Sequence, residues 1–560
     1  MRRHLQQGCR ELVKKPWLAA AVATTVYLIT MDRSVSWWDC GEFIATGWTL
    51  GVGHPPGAPF YQLVTHLAML LSFGHTAWIA PLSNAVSALC AGITVGLLFA
   101  SLRLMGASAW ASWVGSLCYL FCDTAWFSAV ESEVYAMSML FCSLQFYLAL
   151  LYRHKGNTRL PVLMGLAAGL GLCVHMMTLL VLPATVLVCL AGKRIDISHP
   201  LPAIRLIVAV LFFFALGLTP YAIVPLRAAS NPAINEMGEN FESYLKREQY
   251  EKAPIYPRMW RERDYANWSQ WNAGLDGLAG NIVYTATYQV GYMYGRYLMY
   301  NFIGRENLKS HRIVLFVLPL LLGLWGVWNH FRRRRIEAWG VMLMFLFGGL
   351  LLNLYLNHPC YEPRERDYAY ILSFYAFAMW IGIGADMLKW GRWRWILILA
   401  PLSLALGNWS DHDRHRCHSV HDIALNHLES CEKGSVLITL GDNDTFPLWY
   451  LQEVEGLRTD VQVMNVGLAG WYSVAQLLEE DQYTRPIYVS HYFYQRYEHL
   501  FDGRWRCEGY CWRLMPARGD DLTPRMHKGI GWHMETDEYI DPISSHFLDI
   551  WRENTAPLCH

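Results

Sequence analysis

The chain has 560 residues, of which 54% are hydrophobic, 14% aromatic and 16% charged, against roughly 25% charged in an ordinary soluble domain. Forty-six Lys and Arg cancel 46 Asp and Glu, so there is no basic field to attract nucleic acid and no acidic tail to solvate a disordered chain. The mean hydropathy of +0.16 is modest for a membrane-spanning chain, which implies apolar runs diluted by sizeable polar segments.

Apolar runs that approach the roughly 20 residues needed to cross a bilayer lie near 17–31, 81–102, 107–122, 134–152, 161–174, 177–191, 206–224, 313–330, 339–356, 370–388 and 395–408. They predict a polytopic α-helical membrane protein with about eleven transmembrane helices, the division of 161–191 into two being the least regular. Cations in short loops favour the cytoplasmic side. With the N-terminus inside, the cytoplasmic connections hold Lys14, Lys15, Arg103, Arg153, Lys193, Arg194, Arg332 to Arg335, Arg392 and Arg394, whereas the opposite short loops hold only Arg33, Arg364 and Arg366. The first run, with its basic lead-in and Ser34-Val-Ser36 behind it, also fits a cleaved signal peptide. A retained helix is preferred because the residues after it carry chemistry.

This topology divides the chain into a transmembrane module, 1–409, with an outer loop at 32–80 and an outer insertion at 227–310, and an extracytoplasmic α/β domain at 410–560. In the latter, 435–440 and 461–466 read as strands flanking a helix at 447–455. Cys507-Glu-Gly-Tyr-Cys511 reads as a small disulfide loop or as two free thiols. No second pair stands at zinc spacing, so no metal site is expected there.

The polar residues at the outer ends of the apolar runs cost too much to be idle. Asp39 and Glu42, at i,i+3, would point two carboxylates the same way from one helical turn. His54 sits at a rigid Gly-His-Pro-Pro-Gly turn. Glu131 and Glu133 enter an apolar helix, and His175 falls at the outer break between two short helices. Arg364 and Arg366, in Glu362-Pro-Arg-Glu-Arg-Asp367-Tyr, break the charge bias, and a guanidinium fork suits phosphate oxygens. The plainer reading of that segment is a ring of exposed salt bridges. Gly441-Asp-Asn-Asp-Thr445 reads as a capped turn, its acids arguing against phosphate. These groups converge on one side of the membrane, as an active site facing that compartment requires.

Trp38-Asp-Cys-Gly-Glu42-Phe with Gly53-His-Pro-Pro-Gly57, Ala129-Val-Glu131-Ser-Glu133-Val-Tyr135, Glu362 to Tyr368, and Gly441-Asp-Asn-Asp-Thr-Phe-Pro-Leu-Trp449 together resemble the protein O-mannosyltransferase-like family, from about residue 15 to beyond residue 470. The resemblance implies a GT-C type glycosyltransferase using a polyprenyl-phosphate sugar, mannose above all, with no cofactor or metal required. It implies Asp39 as the catalytic acid with Glu42 beside it. His54, Glu131, Glu133, His175, Arg364, Arg366 and Asp367 are then substrate-binding candidates. The partners implied are the lipid-linked sugar, an exported acceptor protein and membrane lipid, in a bacterial inner membrane rather than the endoplasmic reticulum. Transfer to an envelope glycolipid is the alternative within enzymes. An ion-coupled transporter is the alternative class, and it would need mid-membrane charges and two related halves, neither of which is evident.

Overall fold

The computed structural model describes residues 15–191, 200–238, 240–305, 317–362, 364–388, 391–480, 484–500, 504–516, 521–525 and 541–555. Proline at the first helical position opens α1 (Pro16–Thr30), where its fixed φ suits a helix and its missing N–H costs nothing. The outer loop then folds into α2 (Cys40–Thr49) and α3 (Pro59–Met69). The bundle continues with α4 (Ile79–Leu104), α5 (Ala109–Leu120), the short α6 (Asp123–Ala129) and α7 (Val134–Lys155). Next come α8 (Arg159–Leu172) and α9 (Leu182–Leu190), separated by a 3-10 turn at Met176–Val181. The split of the 161–191 run therefore falls where the sequence reading put it, at His175.

Beyond α10 (Pro200–Gly217), α11 (Gly277–Tyr284) belongs to the outer insertion and runs on through a π-helical stretch to Phe302. The last bundle helices are α12 (Leu318–Arg333), α13 (Arg335–Phe345), α14 (Ile371–Met387) and α15 (Leu399–His412). Among the described residues five helices are long and apolar enough to cross a membrane, at Thr76–Leu104, Val134–Lys155, Leu201–Ala228, Arg335–Leu356 and Asp367–Met387. Every residue of α14 from Ile371 to Ala385 is buried; a helix apolar on all sides belongs at the centre of a bundle.

After α15 the chain builds α16 (Ser419–Glu429), β1 (Val436–Thr439), α17 (Phe446–Glu453), β2 (Gln462–Asn465), α18 (Trp471–Glu480), β3 (Ile487–Val489), α19 (His491–Tyr497), β4 (Trp505–Glu508), β5 (Cys511–Leu514) and α20 (Pro542–Thr555). The sheet order is β2-β1-β3-β5-β4. β1 is parallel to both β2 and β3, and β5 is antiparallel to its neighbours. Val436, Ile438, Ile487 and Val489 fill one face. The other face does not close on itself: Leu437, Tyr488 and Cys511 share a core with Val35, Trp37, Cys40, Ile44 and Ala45 of the first outer loop. Close approach of α17 to α2 fixes this junction, since a Cβ on Gly41 would lie 2.5 Å from the Phe446 carbonyl oxygen. Trp37 adds to it by stacking on Phe547 at 5.1 Å and donating its indole N–H to Ser544 Oγ at 3.0 Å.

Of the readings left open for Cys507 and Cys511, the structure has free thiols. In the β4–β5 hairpin Cys507 pairs with Trp512 and Cys511 with Glu508. One step along a strand flips a side chain to the other face, so the two sulfurs point to opposite sides of the sheet.

Candidate active site

The first outer loop enters the site through a strained residue. Trp38 has φ +61°, a left-handed conformation that costs an L-residue roughly 1–2 kcal/mol. Two contacts hold it: its N–H donates to Asn443 Oδ1 at 2.8 Å, and its ring lies under the Arg364 guanidinium at 4.9 Å. The turn sets Asp39 just before α2 and Glu42 in its first turn. The expected pair forms, but its members face different partners.

Asp39 Oδ2 lies 3.7 Å from Arg364 Nη1, and its side chain keeps 21% exposure. Glu42 is fully buried; Oε1 accepts the His54 N–H and Oε2 meets His54 Nδ1, each at 2.6 Å. Gly53 permits this, because a Cβ there would collide with Glu42 Oε1. Burial alone would push the His54 ring down. The carboxylate of Glu42, with Asp39 and Glu236 beyond it, reverses that and holds His54 well above the ordinary histidine range.

Arg364 is the hub. Its Nη2 donates to Glu133 Oε1 at 3.3 Å, and its guanidinium covers the Tyr368 ring at 4.5 Å. Glu133, 1% exposed, is pushed well up by burial and by the Asp39 carboxylate, against the pull of Arg364. Its Oε2 is buried without a hydrogen-bond partner among the described residues. Glu131 Oε2 accepts from Arg414 Nη1 at 3.0 Å, and burial outweighs Arg414 and Arg364 to raise that carboxyl to about 7.

The remaining candidates separate from this centre. Arg366 donates to Glu362 Oε2 at 2.8 Å and to Tyr368 Oη at 2.6 Å. Against burial, His358 and Arg366 hold Glu362 at about 2, so Arg366 is neutralised four residues from itself. Asp367 Oδ2 accepts from Thr124 Oγ1 at 2.6 Å, in a separate network with Arg305 and Asp123. His175 accepts the Met177 N–H on Nδ1 at 3.1 Å, and burial lowers it to about 4. It joins Glu42, His54 and Arg247 around a small cavity of about 50 Å³.

Several groups at the centre were not singled out from sequence. Glu236, from the outer insertion, is raised by burial and by Glu42. Asp442 is pushed up to about 6 by burial and by Asp39, with His54 opposing, and Asn443 holds Trp38. These two lie in the Gly-Asp-Asn-Asp-Thr turn, the one available signal; Glu236, Arg247 and Arg414 had none.

Asp39, Glu42 and His54 bring one ligand atom each within 4.8 Å of one another, a grouping that could hold a cation. Sequence offered no metal set because positions 39, 42 and 54 match no ligand spacing. A cation would need the neutral ring, whereas the pairing with Glu42 favours the protonated one.

A family model described as Protein O-mannosyl-transferase TMEM260 N-terminal domain matches residues 39–198, and TMEM260-associated domain 2 matches residues 420–476. Protein O-mannosyl-transferase tmem260 of Dictyostelium discoideum is 21% identical over 565 residues, covering 86% of this chain and 65% of that protein. Protein O-mannosyl-transferase TMEM260 of Mus musculus is 23% identical over 493 residues, covering 80% and 63%. The chain thus spans a little under two thirds of the length of these curated relatives. ArnT from Cupriavidus metallidurans, solved bound to undecaprenyl phosphate, superposes with a TM-score of 0.51 at 14% identity, covering 89% of this chain and 98% of that one; this likeness concerns the fold. The resemblance carried by the four motifs therefore stands: the chain is a polytopic helical membrane protein similar to the protein O-mannosyl-transferases of the TMEM260 type.

Proposed function

We propose that the chain is a membrane glycosyltransferase that moves mannose from a polyprenyl-phosphate donor to Ser or Thr of exported proteins, with inversion. The observation that carries this reading is the Asp39 carboxylate, partly exposed, 3.7 Å from the buried guanidinium of Arg364. A base and a cation so placed serve opposite ends of one displacement. Asp39 accepts the hydroxyl proton as the acceptor oxygen bonds to the anomeric carbon. The bond from that carbon to the phosphate oxygen breaks, and the polyprenyl phosphate leaves with the electron pair. Arg364 meets the charge that develops on it, acting where charge appears in the transition state. Glu133, pushed toward its neutral form by burial and by the Asp39 carboxylate, offers a proton of its own to a sugar hydroxyl. His54, positioned by Glu42, and His175 border a small cavity beside the pair. Arg366 and Asp367 serve the frame.

The undecaprenyl phosphate bound by ArnT and the names of the two relatives support the donor and the acceptor class. The topology proposed is eleven crossings, N-terminus cytoplasmic and residues 410–560 extracytoplasmic, in a bacterial inner membrane. The test is transfer of label from radiolabelled polyprenyl-phosphate mannose to Ser/Thr peptides by the purified full chain in detergent, wild type against Asp39→Asn. Label on peptide from the wild type alone supports the reading. Equal transfer by both removes Asp39 from the mechanism, and label on glycolipid alone reassigns the acceptor.

A further inference from the structure

The segment that leaves α16 runs in register with the β4–β5 hairpin, far from it in sequence. The ring of His427, in the last turn of α16, stacks on Tyr510 at 4.9 Å and 13°. Ser430 Oγ accepts the Tyr510 N–H at 3.0 Å. Glu432 Oε1 is ion-paired with Arg513 Nη1 at 2.5 Å. Between these pairs stand Cys431 and Cys511, and both thiols donate to the carbonyl oxygen of His427 at 3.5 Å. Two sulfurs tied to one atom in this way stand no farther apart than twice that distance.

The third cysteine of the region does not compete for this place. Cys507 lies on the opposite side of the sheet, and its thiol turns to the Gly509 carbonyl oxygen of its own hairpin at 3.8 Å. Among the described residues no histidine or carboxylate joins Cys431 and Cys511 as a set that could hold a metal.

The pair is also placed where a covalent link would matter. Cys431 is 3% exposed and Cys511 is fully buried, and both belong to the core that holds Leu428 of α16 and Cys40, Ile44 and Ala45 of α2. A link at this point fastens the hairpin to the layer against which the Asp39–Glu42 helix packs.

We infer that Cys431 and Cys511 form a disulfide that staples the β4–β5 hairpin to the end of α16. The inference rests on the proposed extracytoplasmic placement of residues 410–560, since such bonds persist in oxidising compartments. Each sulfur loses its hydrogen as the S–S bond forms; a disulfide oxidant takes up the two protons and two electrons and leaves as two thiols. Burial and the neighbouring Cys431 thiol push Cys511 up, and a protonated, covered thiol exchanges slowly. The bond therefore forms while the hairpin is still closing on the helix, and once formed it is shielded from reductant. It closes a long loop, from 431 to 511, the case in which a cross-link restrains the unfolded chain most.

The test is linkage mapping of the full wild-type chain, extracted from membranes into denaturant with N-ethylmaleimide and digested without reductant. We expect one cross-linked peptide pair carrying Cys431 and Cys511, with Cys507 alkylated. The link should survive dithiothreitol in the folded, detergent-solubilised chain and be lost when the same reductant is added in denaturant. Cys431→Ala should lower the melting temperature by at least about 5 °C, whereas Cys507→Ala should leave the link in place. Alkylation of both Cys431 and Cys511, a link between Cys507 and Cys511, or an unchanged melting temperature in Cys431→Ala would overturn the inference. If the link is found but no label is ever transferred, the proposed function fails and the disulfide stands.

Discussion

Two carboxylate and guanidinium centres sit among the ends of the bundle helices, and they are built differently. At the first, Asp123 Oδ2 meets Arg305 at 2.8 Å and Oδ1 lies 3.5 Å from His412. Asp367 accepts from Thr124, whose N–H and hydroxyl are in turn held by Asn301 at 3.0 and 2.9 Å. No carboxylate oxygen of that centre is buried unpartnered among the described residues. At the second, Arg364 stands 3.7 Å from Asp39 and 3.3 Å from Glu133, and Glu133 Oε2 has nothing to bond. The first satisfies its carboxylates from within, although Arg305 Nε is buried without a partner among the described residues. The second leaves capacity unspent at a cost that selection would remove unless a substrate uses it. Charge content alone does not separate the two centres; the satisfaction of their carboxylates does.

The sharpest way to break this contrast is Arg364→Ala. Removing the guanidinium beside Asp39 should lower kcat/KM for transfer about 100- to 1000-fold, while Arg366→Ala should cost stability first, measured as a lower melting temperature with transfer per folded molecule retained. Comparable rate losses in both would restore the two-arginine clamp expected from sequence. Glu133→Gln comes next. Because the folded site already favours the neutral acid, the amide should keep transfer within about tenfold of wild type, well short of the 100- to 10,000-fold typical of a lost proton-transfer group. A loss as deep as that of Arg364→Ala would make Glu133 an ionised participant.

A smaller effect concerns pH. Glu131 is raised from 4.5 to about 7, so the fold binds this proton more tightly than the unfolded chain does. The stabilisation it gives is complete below about 4.5 and is lost as pH rises through about 7. Glu131→Gln should therefore show a smaller fall in melting temperature between pH 5 and 8 than wild type, and an equal fall would refute the assignment. Smallest of all, EDTA should leave transfer unchanged, since His54 is committed to Glu42. Loss of transfer restored by a divalent cation would assign an ion to Asp39, Glu42 and His54.

What the sequence showed and what it hid follow the range of the forces involved. Local pattern carried the strands, expected at 435–440 and 461–466 and found at Val436–Thr439, buried throughout, and Gln462–Asn465, which is not. It also carried the break at His175 and the turn that pairs Asp39 with Glu42. The different partners of Arg364 and Arg366 were hidden, because both have the same chemistry and only the distant Asp39 and Glu133, against the nearby Glu362, tell them apart. The role of Asp442 and Asn443 was hidden for a related reason. Their turn reads as complete in itself, with Asp444 capping it, and only the shared core between the sheet and the first outer loop brings it beside Trp38.

The most direct measurement sets Asp39→Asn against Asp123→Asn, with single-turnover transfer and melting temperature recorded for each in detergent. We expect Asp39→Asn to lose transfer by about 100- to 10,000-fold with its melting temperature held, and Asp123→Asn to melt lower yet transfer at close to the wild-type rate while folded. The reverse pattern, or loss of transfer in both with stability intact, would contradict the assignment of catalysis to the centre with the unpartnered carboxylate oxygen.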